Sequence, residues 1–554
     1  MNTTPDQNHF DVLVLGAGPG GYVAAIRAAQ LGKSVAIVEK EYWGGVCLNV
    51  GCIPTKVLLR HAEMAQLVSR HAAAFGLPEG LTAEFSAAHK RSREVSVGRT
   101  KGVHYLMKKN GIRQFEGTGT FTSANGISVL GSDGNVTQAT FENAIIATGS
   151  VIRELPGVTF GARITGYIEV VLIEEMPKSL VIIGAGPIGI EFACIAASFG
   201  SQVTVIEYQD RILPLEDADS SAEMAKALKK LGIKIVTGAA VQNATETKDL
   251  ATVVYQQAGE TQSVEAEHVL VAVGFAPRVT GYGLETTGVQ LTERGAIAVD
   301  AQLRTSVSNI FAIGDVNAKL ALAHVAEAQG ILAAEVIGEQ TQREMGDYRY
   351  MPRAVYSLPQ VASFGLTEEQ ARTEHGEVLV AKFPFIANGK AHAVGETTGF
   401  VKLIADAASR LLLGGHLVGP DVSELLPEFK DALINQIGTH PKPGVVYHPP
   451  CTLQHGQQIR GKVEGLLEGL GISVNLCADS HLCCGSAGTY SILQADLSEQ
   501  LRSQKLQNLE AACTQSGATT IVSSNIGCIS HLHQDHLPVR HWIEIIDQLL
   551  SKNP

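Results

Sequence analysis

The patterned part of the chain begins with a short apolar run, Phe10 to Leu15, followed by the glycine turn "GAGPGG" (Gly16 to Gly21), an alanine-rich stretch, and a second apolar run, "SVAIVEK", that ends in Glu39. Short, mainly apolar runs of this kind predict buried strands, and the stretch between them predicts a helix. The same plan returns 168 positions later: Leu180 to Ile183 leads into "GAGPIG" (Gly184 to Gly189), a helix, and "SQVTVIE" ending in Glu207. Each copy predicts a βαβ module. Three more buried-type strands run into glycine turns: "NAIIATGS" (Asn143 to Ser150), "LVAVGFAPR" (Leu270 to Arg278) and "NIFAIGDV" (Asn309 to Val316). In this order they are expected to return the chain to the first domain.

A lone GxGxxG is weak evidence, because glycine also marks ordinary turns. Here each copy follows a strand, opens a helix and meets an acidic residue 18 positions past its last glycine, the context that makes the motif a dinucleotide cradle. Gly16 and Gly184 permit the tight turn, Gly18 and Gly186 let backbone approach a pyrophosphate, and Gly21 and Gly189 let helix pack on strand. The helix N-terminus offers free N–H groups to the anion. Glu39 and Glu207 are then candidates to accept hydrogen bonds from ribose hydroxyls. Glu207 would also repel a 2′-phosphate, and no Arg or Lys follows it before Arg211, so NADH is favoured over NADPH. Two such folds in one chain imply FAD together with a nicotinamide cofactor. Asp315 falls where a carboxylate can hold a ribityl hydroxyl.

A length of 554 residues predicts about three or four domains. With 43 basic and 55 acidic residues the net charge is −12, and no basic run is interleaved with aromatics, which excludes nucleic acid as an expected partner. The polar start "MNTTPDQNHF" and the lack of 18 uninterrupted apolar residues predict no leader and no membrane span, hence a cytoplasmic protein. Nine cysteines gather in two places, Cys47 with Cys52 and Cys451 to Cys528, with Cys194 alone between them. That grouping points to chemistry rather than stapling.

"GGVCLNVGCIPTK" (Gly44 to Lys56) sets Cys47 and Cys52 five positions apart, so the pair can close a disulfide only if the helix start is distorted. A helix N-terminus lowers thiol pKa, and Lys56, one turn past Cys52, adds positive charge. Buried structural cysteines or half of a zinc site are the alternatives; no CxxC or group of His lies nearby to complete a tetrahedral set. With "GGVCLNVGCIP", both glycine turns, "ATGS", "IGD", "AHVAEAQG" (Ala323 to Gly330) and "VASFGLTE" (Val361 to Glu368) in order, residues 1 to about 428 resemble the flavoprotein disulfide reductase family and, within it, the dihydrolipoamide dehydrogenases. The resemblance implies that Cys47 exchanges with a dithiol substrate and Cys52 faces the flavin. It places Lys56 near the flavin, Glu191 between the two cofactors, Gly119, Gly149, Asp315 and Ala323 at FAD, and Val241 and Gly274 at NAD beside Gly186 and Glu207. Implied partners are dihydrolipoamide, another small dithiol or a quinone acceptor, and a second copy of the chain in a homodimer.

The family supplies a base from a histidine in a stretch of the type HPTxSE. Here only "THPKPGV" approaches it: five positions after His440 stands Val445 rather than a carboxylate, and Pro441, Pro443 and Gly444 oppose a helix. His440 reads as a linker histidine. Beyond it, "VVYHPPC", "CADSHLCCGSAGTY" and "NIGC" resemble the cysteine-rich CCG domain of glycolate oxidase and heterodisulfide reductase subunits. Cys451, Cys483, Cys484 and Cys528 form a four-thiolate set suited to an iron–sulfur cluster, with zinc or four metal-free thiols as alternatives. Cys477 and Cys513 read as ordinary positions. The expected architecture is α/β: two Rossmann-like domains (1–155 with 277–348 for FAD, 156–276 for NAD), a truncated α+β dimerisation domain (349–430), a linker (431–444) and an α/β CCG domain (445–554). The leading function is a dihydrolipoamide dehydrogenase-type oxidoreductase whose lipoamide step is impaired. The alternatives are a fused NADH–flavin–iron–sulfur electron-transfer protein and a non-catalytic fusion product.

Overall fold

The run His9–Leu15 becomes the middle of a parallel sheet because Val12, Leu13 and Val14 are buried on both faces. A computed structural model describes residues 8–70, 72–78, 80–429, 444–450, 462–469, 472–486, 494–518, 520–534 and 538–544. They fall into two compact units, Met1–Met351 with Val355–Leu358, and Pro352–Ala354 with Pro359–Pro554. In the first unit, His9–Leu15 pairs in parallel with Val35–Glu39 on one side and Val136–Ile146 on the other, and Ile310–Ala312 extends the sheet in parallel. A second sheet repeats the plan in the order Lys234–Val236, Gln202–Ile206, Ser179–Ile183, His268–Val271, Ile164–Thr165. An antiparallel meander, Ala239–Glu246, Ala251–Gln257 and Glu260–Ala266, accompanies it.

"NAIIATGS" and "NIFAIGDV" do supply strands of the first sheet. "LVAVGFAPR" corrects the expectation: its strand, His268–Val271, lies between Ser179–Ile183 and Ile164–Thr165 in the second sheet, where Val269, Leu270 and Val271 are buried. The open edge of Ser179–Ile183 takes this strand before the chain leaves. Only past Gly274 does it cross back, with Phe275–Pro277 pairing antiparallel to Ser150–Ile152.

The helix after the first glycine turn, Pro19–Gln30, packs on Ala323–Ile337 at backbone range. A Cβ on Gly330 would lie 2.5 Å from the Gly20 carbonyl oxygen, and one on Gly20 2.8 Å from that of Ala326, so glycine is required on both helices. Arg27 closes the same interface with a 2.6 Å ion pair to Glu335.

The second unit holds an antiparallel sheet in which Gln360–Gly365, Leu412–Gly419, Phe400–Asp406 and Val378–Pro384 are successive neighbours, over a core that includes Phe364, Leu417 and Leu426. It also holds a parallel sheet in the order Val474–Leu476, Val445–His448, Thr520–Ser523, Val539–His541, with helices Lys462–Gly469, Ala495–Ser516 and Ile526–Leu532. The α/β and α+β expectations are met.

Two glycines inside the helix Phe85–Lys109, Gly98 and Gly102, have open space where a Cβ would go. Alanine at each should raise stability by roughly 0.5–1 kcal/mol, seen as a higher thermal unfolding midpoint. Gly21→Ala should lower it, because its Cβ would sit 1.9 Å from the Gly16 carbonyl oxygen. The opposite ordering of midpoints would contradict this packing.

Candidate active site

Cys47 lies within the short helix Gly45–Asn49 and Cys52 opens the long helix Cys52–Arg70. Val50 and Gly51 separate the two, which is the distortion that the five-residue spacing requires. The left-handed backbone at Gly44 and Gly45 (φ 89° and 71°) starts the segment. A Cβ on Gly45 would lie 2.6 Å from the Cα of Gly18, so the thiol-bearing segment rests directly on the first glycine turn. Both cysteines are present as thiols and are partly buried. They titrate as a coupled pair: the Cys52 thiol is held below the ordinary thiol range, mainly by its hydrogen bond with Cys47, with Lys56 adding to the effect against the opposing cost of burial. Cys47 is pushed upward by the same hydrogen bond and by burial. The shared proton therefore resides on Cys47, and Cys52 carries the thiolate.

Lys56 Nζ sits 3.0 and 3.1 Å from the two carboxylate oxygens of Glu191. Burial pulls the Lys56 pKa down, but Glu191 and Cys52 outweigh it and leave the ammonium raised. Glu191 is buried in the helix Pro187–Ser198, which the second glycine turn opens. It also accepts the backbone N–H of Tyr356 at 2.8 Å, and the Tyr356 ring lies 4.7 Å from Lys56 Nζ. Sequence reading missed Tyr356; nothing local in "AVYSLPQ" signals a partner 300 positions away. Cys194, on the same helix, is fully buried, and burial pushes its thiol up to about 12, consistent with a packing role.

The glycine turns have the shape that a pyrophosphate needs. Gly16 and Gly184 adopt left-handed φ of 103° and 105°. A Cβ on either would meet the backbone of the neighbouring strand's end, at Ala147 and Ala272. Gly21 and Gly189 are excluded from bearing side chains by the carbonyls of Gly16 and Gly184. By contrast, a Cβ on Gly186 would meet nothing within 4 Å, and one on Gly18 nothing nearer than 3.9 Å. Those two positions border open space in front of the helix N-termini, where an anion fits. Glu39 accepts the Ala17 N–H at 2.9 Å, and Glu207 accepts the Ala185 N–H at 2.6 Å. Each acidic residue thus braces its own glycine turn, a role not foreseen from the spacing.

Asp315 is raised by burial against a 2.7 Å hydrogen bond from Ser150. It follows the first-sheet strand Ile310–Ala312 and has a second oxygen available for a hydroxyl. Gly149 has φ 72° and Gly274 φ 101°, both with open space around a Cβ. Ala323 starts the helix Ala323–Ile337. Val241 stands at a bulge in the strand Ala239–Glu246. Gly119 lacks a side chain for a packing reason, since its Cβ would press on Leu15, Val38 and Ile127. The open space at Gly18 and Gly186 suits FAD at the first turn and NAD at the second.

In the cysteine-rich part, Cys451 and His440 lie outside the described residues. The remaining members of the four-thiolate set divide. Cys484 and Cys528 are buried with their sulfurs 3.3 Å apart, and Cys484 is held down to about 3, chiefly by Cys528 against burial. Cys483 does not join them: it is only partly buried, and its sulfur accepts the Gly485 N–H at 3.4 Å. Cys484 takes the interior, within the core of this part. His448 joins instead, its ring nitrogen and the two sulfurs all within 4.8 Å of one another. Sequence reading missed it, because a histidine at the end of the apolar run "VVYH" carries no spacing signature. Cys477 and Cys513 are core residues.

Comparison with known proteins agrees with this layout. The family "Pyridine nucleotide-disulphide oxidoreductase" matches residues 10–330, its dimerisation domain residues 351–453, and the CCG "Cysteine-rich domain" residues 445–533. Dihydrolipoyl dehydrogenase of Mycobacterium tuberculosis is 54% identical over 442 residues, covering 78% of this chain and 95% of that protein. The enzyme of the same name from Geobacillus stearothermophilus is 44% identical over 419 residues, 76% and 88% of the two chains. Among solved structures, the HOCl-induced flavoprotein disulfide reductase RclA of Escherichia coli superposes with a TM-score of 0.69 at 28% identity, covering 79% and 97% of the two chains. LpdA of Mycobacterium tuberculosis superposes with a TM-score of 0.71 at 25% identity over 78% and 94%. A CCG domain is compatible with an iron–sulfur cluster.

The charge of Lys56 should be measurable at the thiols. In the reduced protein, Lys56→Met removes a cation that favours the Cys52 thiolate, so the midpoint of the iodoacetamide alkylation rate against pH should rise by about one pH unit or more. An unchanged or lowered midpoint would show that Lys56 does not set the Cys52 charge.

Proposed function

Since the chain belongs to the pyridine nucleotide-disulphide oxidoreductase family, as an NAD-dependent flavoprotein disulfide oxidoreductase of dihydrolipoyl dehydrogenase type, we propose that it moves electrons between a small dithiol, such as dihydrolipoamide, the Cys47–Cys52 pair, FAD and NAD. The observation that carries this reading is the seat of the thiol segment: Gly45 lies against Gly18 of the first glycine turn, while Lys56 pairs with Glu191 on the helix opened by the second. One pair of thiols is thereby held against both nucleotide cradles.

In the oxidised protein, a substrate thiolate attacks the Cys47 sulfur. The Cys47–Cys52 bond breaks and Cys52 leaves as a thiolate, a departure favoured by its lowered pKa. The second substrate thiol, once deprotonated, attacks its own sulfur in the mixed disulfide and releases the cyclic disulfide. Cys47 then takes up the proton, as its raised pKa favours, and the electron pair gained from the substrate rests on the two cysteines. Bound FAD and NAD supply the onward passage of that pair to the nicotinamide. Lys56 balances the Cys52 thiolate, and Glu191 holds Lys56 in place. Gly16, Gly18, Gly21, Glu39, Gly119, Gly149, Asp315 and Ala323 hold the flavin nucleotide; Gly184, Gly186, Gly189, Glu207, Val241 and Gly274 hold the nicotinamide nucleotide. The described residues contain no helix long and apolar enough to cross a membrane. The match of residues 351–453 to the dimerisation domain supports a homodimer, which we place in the cytoplasm.

The exchange step also needs a base for the substrate dithiol. After His440 the chain reads "PKPGV", with no carboxylate to orient the imidazole, so the lipoamide step is impaired while NADH oxidation through the flavin is retained. With purified, FAD-loaded protein, NADH-dependent dye reduction should proceed normally, and lipoamide turnover should fall about 10²- to 10⁴-fold below it. Equal rates in the two assays would refute the impaired step.

A further inference from the structure

We propose that Asn49 is a positioning residue for the thiol exchange, holding Cys47 within reach of Cys52 through a side-chain clamp that Thr100 orients. The inference rests on the proposed role of the Cys47–Cys52 pair and adds the residue that sets how readily that pair closes.

The segment that carries Cys47 has little of its own to fix its shape. Gly45–Asn49 is a helix of five residues, and a single turn fixes many dihedral angles for few hydrogen bonds. The chain enters it through two consecutive left-handed glycines, Gly44 and Gly45, the residue type with the most conformational freedom. Side chains must therefore supply the geometry. The Asn49 amide nitrogen donates to the carbonyl of Trp43 and to that of Gly45, each at 2.9 Å. One acceptor precedes the helix and the other begins it, so a single amide closes residues 43–49 into a loop that contains Cys47.

This clamp is fastened to the long helix Phe85–Lys109. Thr100 Oγ1 donates to Asn49 Oδ1 at 3.0 Å, and Arg93 donates to the Asn49 backbone carbonyl at 2.8 Å. Both amide hydrogens and the amide oxygen of Asn49 are then used. The two carbonyls can only accept, so the nitrogen must face them and the oxygen must face the Thr100 hydroxyl. Aspartate cannot take this place, since a carboxylate oxygen would stand against two carbonyl oxygens. The clamp grips backbone on both sides of Cys47, and Asn49 thus acts through Cys47 rather than reacting itself.

The chemical consequence follows from proximity. Closing the disulfide removes two electrons and two protons from the thiols, and dithiothreitol returns them as it becomes its own cyclic disulfide. The better the two thiols are held together, the more the closed form is favoured, and a displacement of about 1 Å can cost about 100-fold. Releasing the Cys47 segment should move the equilibrium toward the dithiol. It should also weaken the Cys47 hydrogen bond that favours the Cys52 thiolate.

The test equilibrates the full, FAD-loaded chain anaerobically with reduced and oxidised dithiothreitol in varied ratio, then alkylates it and reads Cys47 and Cys52 by peptide mass spectrometry. Asn49→Asp and Thr100→Val should each half-reduce the pair at about one tenth of the parental ratio or lower. Thr100→Ser, which keeps the hydroxyl, should titrate as the parent does. FAD content and the thermal unfolding midpoint report folding; should Asn49→Asp fail to fold, Thr100→Val keeps the test open, because it preserves side-chain volume and lies outside the thiol segment. Parental ratios in Asn49→Asp and Thr100→Val, or equal shifts in Thr100→Val and Thr100→Ser, would overturn the inference and leave the redox role of the pair standing. A parent whose two cysteines form no disulfide at any ratio would overturn that role, and the inference with it.

Discussion

The ion pair between Lys56 and Glu191 is the contact on which the redox centre depends. Lys56 stands one turn into the helix that begins with Cys52, and Glu191 stands one turn into the helix that begins at the second glycine turn. Two N-terminal helix ends that belong to different Rossmann-like sheets are thus tied within one turn of their origins. Glu191 keeps the ammonium charged in a buried setting, and the ammonium favours the thiolate at Cys52. The Tyr356 backbone and ring complete the arrangement by occupying a carboxylate oxygen and covering the ammonium. A buried charge pair of this kind is weak evidence for stability, and its value here lies in setting where protons and electrons rest.

The glycine turns carry the second constraint. Their conformations are over-determined: left-handed φ at the first glycine, carbonyl contact at the last, and a carboxylate from the next strand's end bracing the N–H inside the turn. This last contact gives one physical reason for an acidic residue at Glu39 and Glu207 that operates even without a nucleotide. The same carboxylate can brace the turn with one oxygen and receive a ribose hydroxyl, because each oxygen offers more than one lone pair.

Much of this was legible in the sequence because glycine turns, apolar runs and terminal carboxylates are local features. The two βαβ modules, the thiol pair and the change of character near Val445 all follow from short stretches read in order. Other features depend on pairing between distant segments. "LVAVGFAPR" and "NIFAIGDV" share one local pattern, yet sheet neighbours assign the first to the second sheet and the second to the first. Tyr356 reaches Lys56 and Glu191 only through the fold. At "CCG", composition suggested that both thiols serve one centre, whereas backbone direction sends Cys484 inward and leaves Cys483 on the loop. His448 was hidden because a histidine at the end of an apolar strand carries no spacing signature until the strand beside it brings Cys528 near.

The most direct test of the account is a thiol count under anaerobic conditions. FAD-loaded protein with the Cys47–Cys52 pair oxidised is treated with NADH, the excess is removed, and thiols reactive toward a disulfide reagent are counted before and after. About two additional thiols per chain are predicted, neither of them seen in a Cys52→Ser variant. Bleaching of the flavin by NADH with no new thiols would separate the cysteine pair from the cofactors and contradict the account.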